Sequence, residues 1–496
     1  MYRRHIGTKE KNGVCVIGAG VSGIISTRYL LKAGMEVLTV EGKDNLGGTW
    51  YNVERKSGHN TGLKQMYGVY LPEIYDGLNT NIEQLCMTLK DMPYDYKQSI
   101  VSASQFLEYV HRYAEKFHLI KHMLFNCIVK RVRLISNLTP IELANYEITN
   151  EELAFKYVIL IERNITEDHS NSEANRQLIF CDYIVSCNGL YNTPFIPDVK
   201  GRESFEGEEI HTNAYVNMNY LRSKLENKRI IVVGSNQSGR DIVSHCLLGF
   251  KNEDPINVKN IIHCVGSETH LEAVLKAQKT HKELRDKLKV YRGRVSEFTG
   301  PNKVLMGGEE VEVDVIVWAT GYNYKIPFLD PKDNILEVEE EESKGRLLHP
   351  LYLMTFSINQ PTFARPLVPY KYKAELLLNL ERQILMISAV FSGMAKLPTQ
   401  SKMMERLQKQ IDKLKAHGYD LTWFHKEIEG LNDQNHMMDE WFKLSGCNIR
   451  DLNLDRMMDE MNHLKVKILS NGDFYHYPKP DHFNINYTHP LTSDKF

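Results

Sequence analysis

The 496-residue chain is long enough to form two to four domains with a sizeable hydrophobic core. Its 61 basic and 63 acidic residues leave a formal net charge of −2, and 42% of its residues are hydrophobic, which is typical of globular proteins. This balance offers neither the basic stripe of a nucleic-acid-binding protein nor a long like-charged interaction arm.

The N-terminal segment and the cysteines indicate the compartment. Residues 1–13 are basic and polar, without the apolar stretch of a secretory signal, and no segment approaches the roughly 18 apolar residues that span a bilayer. The eight cysteines have neither CxxC nor metal-site spacing, which predicts reduced, buried thiols and argues against a disulfide reductase. The sequence therefore predicts a cytoplasmic protein without a transmembrane anchor or a metal site.

The first predicted elements form a strand–turn–helix–strand unit. The apolar run VCVI at 14–17 predicts a buried strand, 21–33 the following helix and 37–40 the next strand. The turn between the first strand and the helix reads GAGVSG at 18–23. A GxGxxG turn in a complete βαβ unit is the signature of a dinucleotide-binding site.

Each residue of this turn has a predicted task. Gly18 permits the tight turn, Gly20 lets the backbone approach a pyrophosphate, and Gly23 lets the helix pack closely on the strand. The N–H groups of Val21 and Ser22 at the helix start would face the phosphates.

An acidic residue and a glycine pair follow the unit. Glu41 ends the second strand, where its carboxylate would accept from ribose hydroxyls and repel a 2′-phosphate, so the site suits FAD or NAD. The string LGGTW at 46–50 then allows a flat ring system to approach closely. Gly48, Thr49 and Trp50 are therefore predicted to contact a flavin.

A second strand–turn–helix unit starts about 200 residues later. The run IIVV at 230–233 precedes GSNQSG at 234–239, in which Asn236 stands where the middle glycine belongs. Because Asn tolerates left-handed backbone angles, the turn can survive this change. The unit is either a second nucleotide site or a degenerate structural unit. The predicted cofactor contacts here are Gly234, Ser238, Gly239, Arg240 and Asp241.

The choice between NADPH and NADH stays open at the second unit. An arginine that pairs with a 2′-phosphate is expected just after the next strand, but 260–264 runs into Val-Gly-Ser instead. Arg240, Lys276 or Lys279 could substitute for it.

A distinctive string, FEGEEIHTNAY, lies between the two units at 205–215. With it the chain resembles the flavin-containing monooxygenases, whose identifying pattern is FxGxxxHxxx followed by Tyr or Phe. Baeyer–Villiger monooxygenases carry Trp at the last place, so Tyr215 favours the N- and S-oxygenating branch. The segment 361–370 departs from the family in a region expected to shape substrate access. Similar segments run from about residue 13 to 450: 75–81, 104–109, 186–197, 319–322, 390–398 and 437–440.

The resemblance implies an α/β fold with two Rossmann-like dinucleotide-binding domains and a helical C-terminal extension. A discontinuous FAD domain would comprise 1–208 and 326–455, with an NADPH domain inserted at 209–325. Residues 456–496 would form a tail. The polar segment 134–178 is longer than the family pattern needs and predicts an inserted hairpin or loop.

The resemblance also implies the reaction. NADPH would reduce FAD, O₂ would add to the reduced flavin, and the C4a-hydroperoxyflavin would oxygenate a soft nucleophilic nitrogen or sulfur. The partners would be a small-molecule amine or sulfur substrate and O₂, without nucleic acid. The oligomeric state is left open, a homo-oligomer included.

Three further residues acquire roles through the resemblance. Asn81 would act catalytically beside the flavin C4a region, although it could simply cap a turn after Thr80. Thr80 and Gln105 would contact the flavin cofactor. His211 is better explained as a hydrogen-bonded residue in a domain linker, because no paired Ser, Cys or Asp suggests general-base chemistry.

Three alternatives to an N- or S-oxygenase remain. A Baeyer–Villiger-type oxygenase is disfavoured by Tyr215, and an uncoupled NADPH oxidase is compatible with the same residues. A flavin-binding pseudoenzyme is suggested by Asn236 and by the missing arginine.

Overall fold

The computed structural model describes most of the chain. The described residues are 2–8, 12–51, 74–81, 87–89, 91–92, 100–163, 175–190, 193–266, 268–280, 282–366, 376–425 and 434–445.

The described strands are short and mostly buried. In chain order they are β1 (Tyr2–His5), β2 (Gly13–Ile17), β3 (Glu36–Val40), β4 (Met123–Leu124), β5 (Cys127–Leu134), β6 (Tyr157–Arg163), β7 (Arg176–Cys181), β8 (Tyr183–Ser186), β9 (Thr193–Pro194), β10 (Glu208–His211), β11 (Arg229–Val233), β12 (Asn260–Val265), β13 (Leu288–Arg292), β14 (Glu297–Gly300), β15 (Lys303–Met306), β16 (Glu309–Glu312), β17 (Val315–Trp318), β18 (Tyr322–Asn323), β19 (Glu337–Glu339), β20 (Leu347–His349), β21 (Leu351–Tyr352), β22 (Phe356–Ser357) and β23 (Phe363–Ala364).

The described helices follow the first strand of each nucleotide unit and dominate the C-terminal region. They are α1 (Val21–Lys32), α2 (Ala103–Lys116), α3 (Pro140–Asn145), α4 (Met218–Leu225), α5 (Gln237–Leu248), α6 (Glu268–Thr280), α7 (Lys282–Lys287), α8 (Leu376–Phe391), α9 (Gln400–Ala416) and α10 (Gln434–Ser445). No described helix has the length and the apolar character needed to cross a membrane.

The first nucleotide unit belongs to a seven-stranded sheet of described strands, ordered β21-β22-β23-β8-β2-β3-β4. Strand β2 is buried along its whole length and pairs in parallel with β3 and β8. Strand β23 continues the parallel arrangement beside β8. The carboxyl ends of β3, β2, β8 and β23 therefore meet at one edge, where open α/β sheets bind their ligands.

The second nucleotide unit has its own sheet of five described strands, ordered β10-β17-β11-β12-β13 and parallel throughout. Its strands lie within the range 209–325 predicted for an inserted domain, except that β10 begins one residue earlier, at Glu208. The two connections to the rest of the chain run side by side, because β9 and β18 pair in antiparallel fashion. The Rossmann-like α/β fold class is thereby confirmed, while the domain boundaries stay a prediction.

The segment 134–178 contains the expected hairpin, but the strands of that hairpin are apolar and buried. Strands β6 and β7 do form an antiparallel hairpin, but they lie inside a sheet ordered β1-β7-β6-β5. Leu178, Ile179 and Phe180 are fully buried, because the apolar run in each strand packs into the core. The polar average of the segment hid these two short apolar runs. Residues 164–174, between the strands, lie outside the described residues.

Candidate functional site

The turn after β2 has a geometry that only glycine satisfies at two places. Gly18 has φ +101°, and a Cβ added to it would lie 2.6 Å from the carbonyl oxygen of Cys187. A Cβ on Gly23 would lie 1.8 Å from the Gly18 carbonyl oxygen. The turn, the start of α1 and the end of β8 are therefore in close contact, as predicted for a dinucleotide-binding unit.

A cavity of about 370 Å³ opens at this turn, within the size range of cofactor sites. Its wall includes most of the residues predicted for the first unit and several that the sequence did not reveal. The predicted wall residues are Gly18, Gly20, Val21, Ser22, Glu41, Gly48, Thr49 and Trp50. Unpredicted wall residues include Lys43, Phe106, Ser186, Asn188, Gly189, Phe328 and Arg365.

Glu41 is the acidic residue of the cavity, and its carboxylate is held by the backbone. Its Oε2 accepts from the Ala19 N–H at 2.6 Å, and its Oε1 accepts from the Lys43 N–H at 2.8 Å. Burial raises the pKa of Glu41, and these two N–H donors oppose the rise. A carboxylate offers about four acceptor sites, so capacity remains for ribose hydroxyls.

The glycine pair of the LGGTW string meets the dinucleotide turn directly. Gly48 has φ +58°, and a Cβ on it would lie 2.8 Å from the Gly20 Cα. The Lys43 ammonium donates to the carbonyls of Gly48 and Tyr51 at 2.9 and 2.8 Å, which ties this loop to the end of β3. Trp50 packs on Phe106 with ring centres 4.4 Å apart.

The turn of the second unit repeats the geometry of the first. Gly234 has φ +115°, and a Cβ on it would lie 2.3 Å from the Ala319 carbonyl oxygen. A Cβ on Gly239 would lie 1.9 Å from the Gly234 carbonyl oxygen. Asn236 is exposed and occupies the N-cap position of α5 with φ −78°, so the turn survives as expected, but without a left-handed backbone at this residue. The left-handed position of the turn belongs to the first glycine.

Histidines that the sequence analysis did not single out surround the second turn. The Ser235 hydroxyl lies 2.8 Å from His270 Nδ1, and His263 Nε2 lies 3.0 Å from the Gly234 carbonyl oxygen. His263 is fully buried, which lowers its pKa to about 4. It holds the turn as a neutral ring that donates to the carbonyl.

Asn81 lies on the second unit. Its Nδ2 donates to Gln237 Oε1 at 3.2 Å, and Arg240 donates to the same oxygen at 2.6 Å. Gln237 donates onward to Asp241 Oδ1 at 3.1 Å, and the Tyr75 hydroxyl donates to Asp241 Oδ2 at 3.0 Å. The structure therefore brings the 75–81 segment onto the start of α5, together with the predicted residues Arg240 and Asp241. Ser238, also predicted here, is exposed on the first turn of the same helix.

Thr80 and Gln105 make structural hydrogen bonds. The Ser102 N–H donates to Gln105 Oε1 at 2.9 Å, and the Gln105 N–H donates to Ser102 Oγ at 3.2 Å, which is a capping box at the start of α2. Thr80 Oγ1 accepts from the Val101 N–H at 3.3 Å. Contacts of these two residues with a flavin stay a prediction.

Two residues of the 205–215 string, His211 and Tyr215, are buried and make close polar contacts. His211 Nε2 lies 2.9 Å from the Gly321 carbonyl oxygen, and burial lowers the pKa of this histidine. The hydrogen-bonded linker histidine expected from the sequence is thus observed. The Tyr215 hydroxyl lies 2.7 Å from His245 Nδ1, and its ring stacks on Tyr75 at 4.5 Å.

The residues of the first cavity fit a flavin dinucleotide. The first turn of α1 has backbone N–H groups without helical partners, which suit a pyrophosphate. Glu41 can accept from a ribose, and the largely apolar wall around Trp50 and Phe106 suits a ring system. Arg365 adds a buried cation, which the sequence alone did not reveal because it follows a strand of two residues.

Comparison with known proteins places this geometry in one family. A model of the flavin-binding monooxygenase-like family matches residues 11–153 and 267–448, and a model of L-lysine 6-monooxygenase/L-ornithine 5-monooxygenase matches 157–275. Senecionine N-oxygenase of Tyria jacobaeae is 25% identical over 435 residues, which cover 87% of this chain and 81% of the relative. Flavin-containing monooxygenase FMO GS-OX3 of Arabidopsis thaliana is 25% identical and covers 82% of this chain and 79% of its own.

Solved structures show the same fold. S-allyl-L-cysteine S-oxygenase from Allium sativum superposes with a TM-score of 0.71 at 20% identity, covering 97% of this chain and 96% of that one. OTEMO in complex with FAD and NADP superposes with a TM-score of 0.52 at 14% identity, covering 88% and 98%. With a family model that matches well over half of its residues, the chain belongs to the flavin-binding monooxygenase-like family and is a monooxygenase enzyme.

Proposed function

We propose that the chain is a FAD-dependent, NADPH-using monooxygenase that oxygenates soft nucleophilic nitrogen or sulfur in small molecules. The observation that carries the proposal is the pairing of two glycine turns of equal geometry. The first opens into a 370 Å³ cavity, and the second carries the contact of Asn81 with Gln237. The named relatives include an N-oxygenase, and one neighbour of the same fold was crystallised with FAD and NADP.

The first cavity would hold FAD. The N–H groups of Val21 and Ser22 would bind its pyrophosphate, Glu41 would accept from a ribose, and Gly48 would let the ring system approach. The flavin supplies hydride acceptance and oxygen chemistry. The chain contributes binding and orientation, and its apolar wall excludes water from the ring.

The second unit would hold NADPH at the turn of 234–239. Gly234 and Gly239 allow the tight turn there because neither carries a Cβ. The start of α5 would present its N–H groups to a phosphate. Arg240 would add a positive charge beside that helix start, with Ser238 and Asp241 on the same helix. The proposal includes a domain inserted at 209–325 between the two parts of the FAD domain; residues 456–496, expected to form a tail, lie outside the described residues.

Asn81 would act where the two nucleotides meet. Its amide already donates to the helix that follows the second turn, so it connects the segment before α2 with the nicotinamide side. A neutral amide can donate a hydrogen bond to an oxygen atom and accept one from a carboxamide without carrying charge.

The experiment that tests the function is a coupling measurement. The FAD-loaded protein is given NADPH, O₂ and either a tertiary amine or a thioether, and NADPH consumed, oxygenated product and hydrogen peroxide are counted. We expect about one product per NADPH with at least one substrate class and little hydrogen peroxide. NADPH consumption that yields only hydrogen peroxide with both classes would contradict an oxygenase and favour the oxidase alternative.

A substitution at Asn81 tests its role. We expect Asn81→Leu to lower product per NADPH about tenfold and to raise hydrogen peroxide, with little change in bound FAD, because it removes a polar contact near the reacting atoms. Asn257→Ala is the matched control, since Asn257 is an exposed amide that donates to Asn227 instead. Equal coupling in the two variants would leave Asn81 without a catalytic role.

A further inference from the structure

Arg365 stands at the edge of the first sheet where the carboxyl ends of the parallel strands meet. It follows β23 directly, and β23 pairs with β8, which pairs with β2. The residues after these strands are therefore neighbours: Arg365 after β23, Cys187 and Asn188 after β8, and Gly18 after β2. Both Arg365 and Gly18 lie in the wall of the 370 Å³ cavity.

The guanidinium group of Arg365 is buried among neutral partners. Nη1 donates to the Asn188 side-chain oxygen and to Ser186 Oγ at 3.3 Å, and Nη2 donates to the Gly189 carbonyl oxygen at 2.5 Å. Nε is buried and makes no hydrogen bond within the described part of the chain. The side chain is 1% exposed, so its charge is shielded from bulk solvent.

No described carboxylate pairs with this charge. Burial lowers the pKa of Arg365 to about 10, which still leaves the group protonated at neutral pH. The groups that favour its charged form are Tyr324 and Cys187, and burial raises the pKa of both, so neither carries a negative charge at neutral pH. A buried cation without a counter-ion is strongly disfavoured, so a charge of this kind normally has an anionic partner.

Two of the other buried arginines are paired with acidic residues. Arg133 is equally buried, and its Nε donates to Asp333 at 2.8 Å while Nη1 pairs with Glu142. Arg28 pairs with Asp91. Of these three arginines, only Arg365 has no carboxylate partner among the described residues. Its side chain lies in the wall of the cavity instead.

We propose that Arg365 is the buried counter-charge for the pyrophosphate of the flavin dinucleotide in the first cavity. This inference rests on the proposed function, because it needs a dinucleotide at the turn of 18–23. The turn lies against the backbone of the loop that Arg365 contacts, since a Cβ on Gly18 would lie 2.6 Å from the Cys187 carbonyl oxygen and 3.5 Å from the Asn188 backbone nitrogen. The start of α1, which follows β2, and Arg365, which follows β23, would then both contact the pyrophosphate.

The assignment makes an unusual prediction for stability. With an anionic ligand bound, the charge is paired; without it, the charge is buried alone. Replacing Arg365 with a neutral side chain of similar length should therefore leave the FAD-free protein equally stable or more stable. The same replacement should reduce the stabilisation that FAD confers, because ligand stabilisation follows affinity.

The experiment uses the full-length chain as wild type, Arg365→Met and Arg365→Lys, with the surface variant Arg222→Met as control. Each protein is stripped of flavin, then titrated with FAD and with riboflavin, which lacks phosphate. We expect Arg365→Met to weaken FAD binding about 10- to 100-fold, the loss of a charge-assisted hydrogen bond, and to leave riboflavin binding unchanged. Arg365→Lys keeps the charge but loses the planar fork, so an intermediate loss is expected.

Thermal unfolding with and without FAD separates this role from a structural one. A lower melting temperature of flavin-free Arg365→Met, with unchanged FAD affinity, would make Arg365 a residue that holds the loop of 186–189, and would overturn the proposal. Unchanged affinity for oxidised FAD together with a lowered flavin midpoint potential would assign the charge to the reduced ring, and would also overturn it. Wild-type protein that binds no FAD would instead refute the proposed function.

Discussion

The glycine turns of the two nucleotide units have the same backbone conformation but different surroundings. In both turns the first glycine has a left-handed φ, +101° at Gly18 and +115° at Gly234, and the last glycine lies against the carbonyl of the first. The residue before the helix is extended in both, with φ −71° at Gly20 and −78° at Asn236. The middle position is where the units diverge, since Gly20 lines a cavity against Gly48 whereas Asn236 is exposed.

This comparison separates two meanings of the glycine motif. The first and last glycines are required by the fold, because any Cβ there would collide with backbone. The middle glycine is required by what approaches the turn, because a Cβ on Gly20 would be 3.5 Å from its nearest neighbour, an ordinary contact. Asn236 therefore leaves the second turn intact and changes only the space available to a ligand.

The surrounding charges also differ between the units. The first cavity holds a buried carboxylate, Glu41, and a buried guanidinium, Arg365. The second turn is held by the histidines His263 and His270, and another buried histidine, His245, lies within α5. Acid should therefore affect the two units in different ways.

The largest expected effect comes from filling the last glycine of either turn. Gly23→Val and Gly239→Val would each place a Cβ within 2 Å of a backbone carbonyl, at 1.8 and 1.9 Å, so each should destabilise its unit by roughly 3 kcal/mol or more. Thermal unfolding of the two variants checks the equivalence. If only one of the two variants were destabilised, the two turns would not be structurally equivalent.

The middle glycine of the first turn gives the next largest effect. Gly20→Asn should fold normally, because Asn236 shows that the same backbone accepts Asn, yet it should weaken FAD binding about 100-fold, on the order of 3 kcal/mol, by filling the cavity. Melting temperature and flavin titration are measured together. FAD binding at wild-type strength would mean that Gly20 is not where the dinucleotide approaches.

Acid should loosen α5 and β12 of the second unit, which hold His245 and His263. Burial lowers the pKa of His263 to about 4 and that of His245 to about 3, so the unfolded chain binds protons below about pH 6.5 that the folded chain refuses. The contribution of each neutral histidine to the free energy of unfolding is fully present above pH 6.5. It is lost as the pH falls towards the folded-state pKa values, by about 2 kcal/mol per histidine at pH 5. Burial raises the pKa of Glu41, so its contribution in the first unit has the opposite sign.

Hydrogen exchange of peptides from α5 and β12 between pH 7.5 and 5 measures this difference, after correction for the intrinsic pH dependence of exchange. His245→Gln should reduce the acid-induced loss of protection, whereas His417→Gln, at an exposed site, should not. If peptides from β2 and β12 lost protection equally between pH 7.5 and 5, acid would not distinguish the two units.

The smallest expected effect is that of Asn236→Gly. An exposed helix cap changed from Asn to Gly alters stability by only a few tenths of a kcal/mol. If the Asn236 side chain obstructs NADPH, the KM for NADPH should fall about two- to threefold, as measured by steady-state kinetics. A rise in this KM would mean that the Asn236 amide helps to bind the nucleotide.

How much of the site could be predicted depends on how local its residues are. Gly18, Glu41 and Gly48 lie within one short stretch whose motif spacing is set by a βαβ unit, so the sequence revealed them. Arg365 and Asn188 reach the same cavity from other strands, and strand pairing brings them there. No local pattern around Arg365 distinguishes it from a surface residue.

Two predictions were only partly correct, for similar reasons. The segment 134–178 has a polar average, yet short apolar stretches in β6 and β7 are buried in a sheet whose partners come from elsewhere in the chain. Asn236 was expected at a left-handed position, but the backbone of the motif places that conformation at its first glycine. Composition over a window and single-residue propensity both miss the arrangement that tertiary contacts impose.

The central claim is that the two units hold two nucleotides that exchange electrons. The most direct test is to add NADPH, and separately NADH, without oxygen to purified protein and to follow the flavin absorbance. We predict about one FAD per chain and rapid bleaching by NADPH. Protein that holds FAD but is bleached by neither nucleotide would contradict the claim and leave a flavin-binding protein without nicotinamide-dependent turnover.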